Sequence, residues 1–331
     1  MSLGEGSTLG GRYRLLSQIG RGGMGTVWHA HDELLDRDVA VKAILLPSDF
    51  TPAEYDEVYQ RTLQEARLAA RLSHPAIVNI YDVVEEENRP WIVMELIHVP
   101  SLRDLIDERG PLEPPVVAKI GLQITNALLA AHEAGILHRD VKPGNVLVDE
   151  SRSLRAVLTD FGVARAHSDA TTSKTEDLTG SAAYMAPERV DGQPSVAASD
   201  LWSLGATLYE AVEGKPPFKR PEPVASLVAV LKDDPAPTEK AGPLQPVIDG
   251  LLCKDPDERL TATEAAAMLE QVMNDPSDST TEFSELFVSS APVAPEPSVK
   301  SPRRRPTLQS ALLVAIVVTV MADLIVFAIV R

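Results

Sequence analysis

Residues 137 to 162 constrain this chain more than any other stretch. They read Leu137-His138-Arg139-Asp140-Val141-Lys142-Pro143-Gly144-Asn145, then a short apolar strand, then Asp160-Phe161-Gly162. Two acids, a lysine and an amide thus sit on turns flanking one hydrophobic strand. Phosphoryl transfer needs such a set: a carboxylate to orient a hydroxyl, a cation for moving charge, and oxygen ligands for a divalent ion. An ordinary polar loop before a strand is the bland alternative. Two matching halves at a fitting separation weigh against it.

His-Arg-Asp-Val-Lys-Pro-x-Asn followed by Asp-Phe-Gly resembles the catalytic loop and metal-binding turn of protein kinases. The resemblance implies that Asp140 accepts or orients the substrate hydroxyl proton and that Lys142 neutralises charge on the transferring phosphoryl group. It also implies that Asn145 and Asp160 hold Mg2+ through oxygen, a ligand set that Mn2+ accepts equally. Lys142, two residues after Asp140, is similar to the serine/threonine class. His138 and Phe161 are read as packing residues.

The N-terminal part supplies the nucleotide end. A strand from Arg12 to Ile19 leads into Gly20-Arg21-Gly22-Gly23-Met24-Gly25-Thr26-Val27, whose glycines let backbone N–H groups approach phosphates. Dinucleotide-binding folds use a similar spacing, but there the turn opens a helix. Here Thr26 to Ala30 continues as a β-type run, as in the kinase phosphate lid. Val39-Ala40-Val41-Lys42-Ala43-Ile44 is a strand with one lysine, which could merely snorkel from a sheet edge. By resemblance Lys42 holds the α- and β-phosphates and pairs with Glu65 on a helix over 54–72; Glu57 is the rival partner. Met94 would back the adenine pocket, the backbone of Glu95 to Ile97 would hydrogen-bond the base, and Ile19, Val27, Ala40 and Leu147 would line it.

Apolar residues recur every three or four positions over 116–134, a largely buried helix capped by Gly135 that delivers the chain to Asp140. Beyond Gly162 lie Thr171, Thr172, Ser173, Thr175 and Thr179. Arg139 directly before Asp140 resembles the arrangement of kinases switched by loop phosphorylation, since a loop phosphate could pair with it. Thr175, five residues before Gly180, is the favoured site, with Ser173, Thr172 and Thr171 as alternates. Ser181, where the family usually has threonine, would contact Asp140 and Lys142. The resemblance further implies that Asp200 holds the catalytic-loop backbone, and that Glu188 of Ala186-Pro187-Glu188 pairs with Arg259. Thr261 is a candidate N-cap for the last helix.

The remaining sequence concerns partners and place. A formal net charge of −17 over 331 residues argues against a nucleic-acid binder, although acidic surfaces also serve plain solubility. The single Cys253 excludes an internal disulfide framework and fits a reducing compartment. Met1 to Gly11 has neither the basic region nor the apolar core of a secretory signal. Residues 274–307 have the composition of a disordered Pro/Ser-rich linker. Residues 308–330 are almost wholly apolar, and 311–330 as a helix would span about 30 Å, the thickness of a bilayer core. Arg303-Arg304-Arg305 would keep the preceding end cytoplasmic, with the C-terminus outside. Asp323 within the span is costly in lipid and points to a partner helix and a homodimer, a protonated state, or a water-accessible position.

The expectation is an α+β, two-lobed protein kinase fold over 12–273, with a β-rich N-lobe (12–97) and a helical C-lobe (98–273). A flexible start (1–11), the juxtamembrane linker and a transmembrane helix complete it. The bacterial serine/threonine kinases are the most similar group, which implies ATP and Mg2+ as cofactors, protein Ser/Thr hydroxyls as substrates and a cell-membrane location. A nucleotide-binding scaffold without catalysis would show a damaged Lys42, Asp140, Asn145 or Asp160, and all four are intact.

Overall fold

Strand alternation organises the N-terminal part of the molecule. In the computed structural model, which describes residues 4–22, 25–45, 51–151, 153–161 and 182–274, a six-stranded sheet has the order β1-β2-β3-β4-β6-β5. Its strands are β1 (Thr8–Leu9), β2 (Tyr13–Gly22), β3 (Gly25–Asp32), β4 (Arg37–Ile44), β5 (Ile80–Glu86) and β6 (Arg89–Met94), all antiparallel. Successive side chains of a strand face opposite ways. Val39, Val41 and Ala43 therefore join Tyr13, Leu15, Ala30, Trp91 and Val93 in one buried layer. Ala40 and Ile44 belong to separate clusters on the other side. Lys42 shares their parity, so the strand itself turns the ammonium away from that first layer.

Helix α1 (Pro52–Ala69) starts at Thr51, which forms a capping box with Glu54. Such a box satisfies two of the donors that a helix start leaves open. Its buried stripe of Val58, Thr62, Leu63, Ala66 and Ala69 packs toward β5 and β6. The helix begins two residues before the expected 54 and ends at Ala69 rather than 72, where Ala70 closes it.

The C-terminal part is helical: α2 (Leu102–Arg109), α3 (Pro114–Glu133), α4 (Pro187–Val190), α5 (Ala197–Glu213), α6 (Pro223–Lys232), α7 (Gln245–Leu251) and α8 (Ala262–Asn274). Helix α5 is buried on every side from Ser199 to Val212, with α3 and α7 packed against it. A Cβ on Gly205 would lie 2.8 Å from the Leu251 side chain, so glycine permits the α5–α7 approach. Helix α3 buries Val117, Ile120, Ile124, Leu128 and Ala131 at helical spacing; it stops at Ala134, with Gly135 at φ +74° beyond it. Thr261 and Glu264 form reciprocal hydrogen bonds at the start of α8.

A two-stranded hairpin, β7 (Val146–Asp149) and β8 (Arg155–Leu158), joins the halves. Val78 N–H donates to Leu158 C=O (3.1 Å), and Leu158 N–H donates to Ala76 C=O (2.9 Å). All described residues fall within one compact unit, Met1–Pro276. Among them no helix is long and apolar enough to cross a membrane, and the expected span 308–330 lies outside the described residues.

Candidate active site

The glycine turn enters the site as strand, turn, strand. Gly20 pairs with Val27, Arg21 with Thr26 and Gly22 with Gly25. Gly25 has φ +143°, and a Cβ there would fall 1.9 Å from the Ala43 carbonyl oxygen. No other residue type fits at that position. Below the turn, Val27, Ala40, Met94, Ile97 and Leu147 gather in one apolar cluster with Val78 and Val157. Ile19 stands apart from it, half exposed. In the strand connection after Met94, the Glu95 N–H is already taken by Asn79 C=O (2.9 Å). Of the Glu95 to Ile97 backbone groups expected to meet a base, that N–H is therefore occupied.

Lys42 is 7% exposed, and its ammonium lies 2.8 Å from Asp160 Oδ1. The expected Lys42–Glu65 pair is not formed. Glu65 instead accepts from Arg139 Nη1 (3.1 Å) and lies 3.5 Å from Arg61. Charge explains the exchange, since each carboxylate has found a different cation. Glu57 is exposed and belongs to neither arrangement. Lys42, Ile44, Val78, Ile80, Ile92, Met94, Asp160 and Phe161 line one cavity behind this point.

The loop after α3 is fixed from below by Asp200, on the first turn of α5. One carboxylate oxygen accepts the His138 N–H (2.8 Å) and His132 Nε2 (2.9 Å); the other accepts the Arg139 N–H (2.7 Å). Burial alone would raise this carboxyl's pKa, but these donors hold it below the usual aspartate value. The buried His138 imidazole donates from Nε2 to Thr159 C=O (2.9 Å) and accepts the Asp140 N–H at Nδ1 (3.2 Å). Burial lowers its pKa and keeps it neutral. Its ring lies 4.6 Å from Phe161, so both residues pack. Asp140, 5% exposed, receives Lys142 Nζ (2.8 Å) and Asn145 Nδ2 (3.1 Å) at Oδ2. Asn145 Nδ2 also donates to Asp140 C=O (2.7 Å).

That orientation turns the Asn145 amide nitrogen to Asp140, which leaves its oxygen as the donor atom for a metal. That oxygen and the Asp160 carboxylate are ligands of the type Mg2+ takes, and would be the groups to hold it. Among the described residues no group of three or more His, Cys, Asp or Glu is placed to hold a metal ion.

Glu188 on α4 accepts both terminal nitrogens of Arg259 (3.0 and 3.1 Å) and the Ser199 hydroxyl (2.7 Å). Burial pushes the Glu188 carboxyl up, but Arg259 and Ser199 outweigh it and hold the pKa low. Gly162, Ser181, Thr171, Thr172, Ser173 and Thr175 lie outside the described residues. Sequence reasoning missed His132, Ser199 and Arg189. His132 left a signal, a lone histidine ending an otherwise apolar helical stripe. Arg189 left none.

The protein kinase domain family matches residues 13–269. A probable serine/threonine-protein kinase of Corynebacterium efficiens is 39% identical over 275 residues, covering 78% of this chain and 41% of that protein. The serine/threonine-protein kinase PknB of Mycolicibacterium smegmatis is 39% identical over 276 residues, covering 80% and 43%. The chain thus spans about two fifths of the length of the curated relatives it matches. A crystal structure of Rad53 in complex with AMP-PNP superposes with a TM-score of 0.64 at 24% identity, covering 79% of this chain and 65% of that one. This last likeness speaks to the fold alone. The chain belongs to the protein kinase domain family and has its two-lobed fold.

Proposed function

We propose that the chain is a serine/threonine protein kinase, transferring the γ-phosphate of ATP to protein hydroxyls. The observation that carries this reading is Asp140, held on a fixed loop with Lys142 and Asn145 on its carboxylate. Asp140 orients the acceptor hydroxyl and takes its proton, while Lys142 offsets charge on the moving phosphoryl group. Lys42 steadies the nucleotide phosphates. Asn145 and Asp160 hold the magnesium or manganese ion, which supplies positive charge against those phosphates. The glycine turn covers the phosphates, and the cluster around Ala40, Met94 and Leu147 takes the adenine. Lys142 and the serine/threonine kinases among the relatives support the acceptor class.

The observed pairing supports a regulatory reading. Arg139 is held by Glu65 (3.1 Å) while Lys42 is held by Asp160 (2.8 Å). A phosphate on Thr175, or on Ser173, Thr172 or Thr171, would compete for Arg139 and free Glu65 for Lys42. The apolar stretch 308–330, with three arginines before it, supports a single-pass membrane anchor with the kinase domain cytoplasmic and the C-terminus outside. Asp323 in that stretch supports self-association, which Asp323→Leu should weaken in membranes.

Purified full-length chain given radiolabelled ATP and a generic protein acceptor tests the activity. Wild type should label serine and threonine, and Asp140→Asn should lose about 10²–10⁴-fold. Equal labelling by both overturns the reading. Mass spectrometry of active enzyme with no phosphate within 171–175 would overturn the regulatory part.

A further inference from the structure

The peptide joining Arg139 to Asp140 is held at both of its polar ends. Its N–H, on Asp140, donates to His138 Nδ1 (3.2 Å). Its carbonyl, on Arg139, accepts Arg189 Nη1 (2.8 Å) across a gap of fifty residues in sequence. This peptide needs such support because Arg139 sits at φ +63°, in the left-handed region that a side chain disfavours. Such a conformation persists only where its surroundings over-determine it. Asp200 fixes the peptide on the other side of Arg139, through the Arg139 N–H (2.7 Å). With Arg189 removed, the 139–140 peptide keeps only the longer N–H bond to His138 (3.2 Å) at one end, and a tilt about that bond carries the Asp140 side chain off its position.

Arg189 is itself well placed to resist that rotation. It rides on α4, next to Glu188, whose carboxylate is tied to Arg259 (3.0 Å) and Ser199 (2.7 Å) in the buried helical core. Three residues before Arg189, Ala186 is fully buried, and Pro187 starts the helix. A cation anchored in this way can impose an orientation on a peptide group that the loop would not keep by itself. Lys142 and Asn145 bond the Asp140 carboxylate, and Asn145 also bonds the Asp140 carbonyl, but none of these bonds holds the Arg139 carbonyl.

We propose that Arg189 is a positioning residue for phosphoryl transfer: it locks the Arg139–Asp140 peptide and so couples the segment Ala186–Val190 to the reacting carboxylate. The inference rests on the role given to Asp140 above. The contact is a cationic N–H donor on a loop carbonyl beside the reacting carboxylate, so the loss should appear in turnover rather than in nucleotide binding.

The test compares full-length wild type with Arg189→Met, Arg189→Lys and Asp140→Asn, with Arg220→Met as a control for loss of a surface arginine. Turnover on a protein acceptor, ATP affinity by calorimetry and the thermal midpoint are measured for each. Arg189→Met should lower kcat about 10- to 100-fold, the scale of an ångström-level misplacement. ATP affinity should stay within about twofold, and Arg189→Lys, which can still donate to the carbonyl, should recover most of the loss. Wild-type turnover in Arg189→Met overturns the inference. So does a joint fall in thermal midpoint, ATP affinity and kcat that lysine does not restore, which would mark a purely structural arginine. If Asp140→Asn is inactive while Arg189→Met is normal, only this inference falls; if Asp140→Asn is active, the catalytic reading falls with it.

Discussion

Replacing Asp200 separates the positioning of the catalytic loop from its chemistry. The carboxylate is 1% exposed and accepts two peptide N–H groups, from His138 (2.8 Å) and Arg139 (2.7 Å), as well as His132 (2.9 Å). Asp200→Ala leaves both peptide donors without an acceptor, the His138 N–H buried and the Arg139 N–H partly so. At about 1–3 kcal/mol for each orphaned group, the loss is about 2–6 kcal/mol. A domain's whole stability is about 5–15 kcal/mol, so this is a large share. Asp200→Asn keeps one acceptor oxygen and orphans one peptide, and should cost about half as much. Urea unfolding followed by tryptophan fluorescence suits the measurement, because the buried Trp202 stands two residues further along the same helix, stacked on Phe218. The pH dependence has a definite sign. The folded-state pKa lies below the ordinary aspartate value, so the stabilisation is complete above pH about 3.9 and is lost as pH falls through the depressed pKa. Wild type should therefore lose stability relative to Asp200→Asn on acidification below about pH 4. Equal midpoints for wild type and Asp200→Ala at neutral pH would refute the argument.

Two further outcomes are expected. Gly25→Ala should sharply weaken ATP binding and lower the thermal midpoint, because its Cβ meets the Ala43 carbonyl at 1.9 Å, whereas Gly20→Ala meets only Val27 at 3.7 Å and should be tolerated; equal calorimetric affinities would contradict this. Arg259→Met leaves the buried Glu188 carboxylate without its cation, so it should destabilise by about 3–5 kcal/mol in denaturant titration. Its Glu188→Gln double variant should regain part of that loss.

Much of the site was legible because its parts are close in sequence. Asp140, Lys142 and Asn145 lie within one loop, and short turns bring such residues together whatever the rest of the chain does. Val39–Ile44 likewise read as a strand with one lysine, although its alternation alone did not say which face the lysine would take. The Glu188–Arg259 and Asp200 contacts were legible only through the family resemblance, since each spans a wide gap in sequence.

The sequence by itself determined which groups are present and the order in which strands, turns and helices offer them. Only the tertiary structure decided which charge meets which. Lys42 could pair with Glu65 or Asp160, and Arg139 with Glu65 or a loop phosphate. The result observed, Lys42 with Asp160 and Glu65 with Arg139, depends on how α1 sits over the loop. Arg189 is the extreme case. Nothing in its neighbourhood in sequence marks it, and its contact with the Arg139 carbonyl arises where α4 and the loop before Asp140 are both hydrogen-bonded to the same helix, α5. Residues 137 to 145 therefore specified the chemistry, while packing against α5 specified the geometry in which that chemistry can occur.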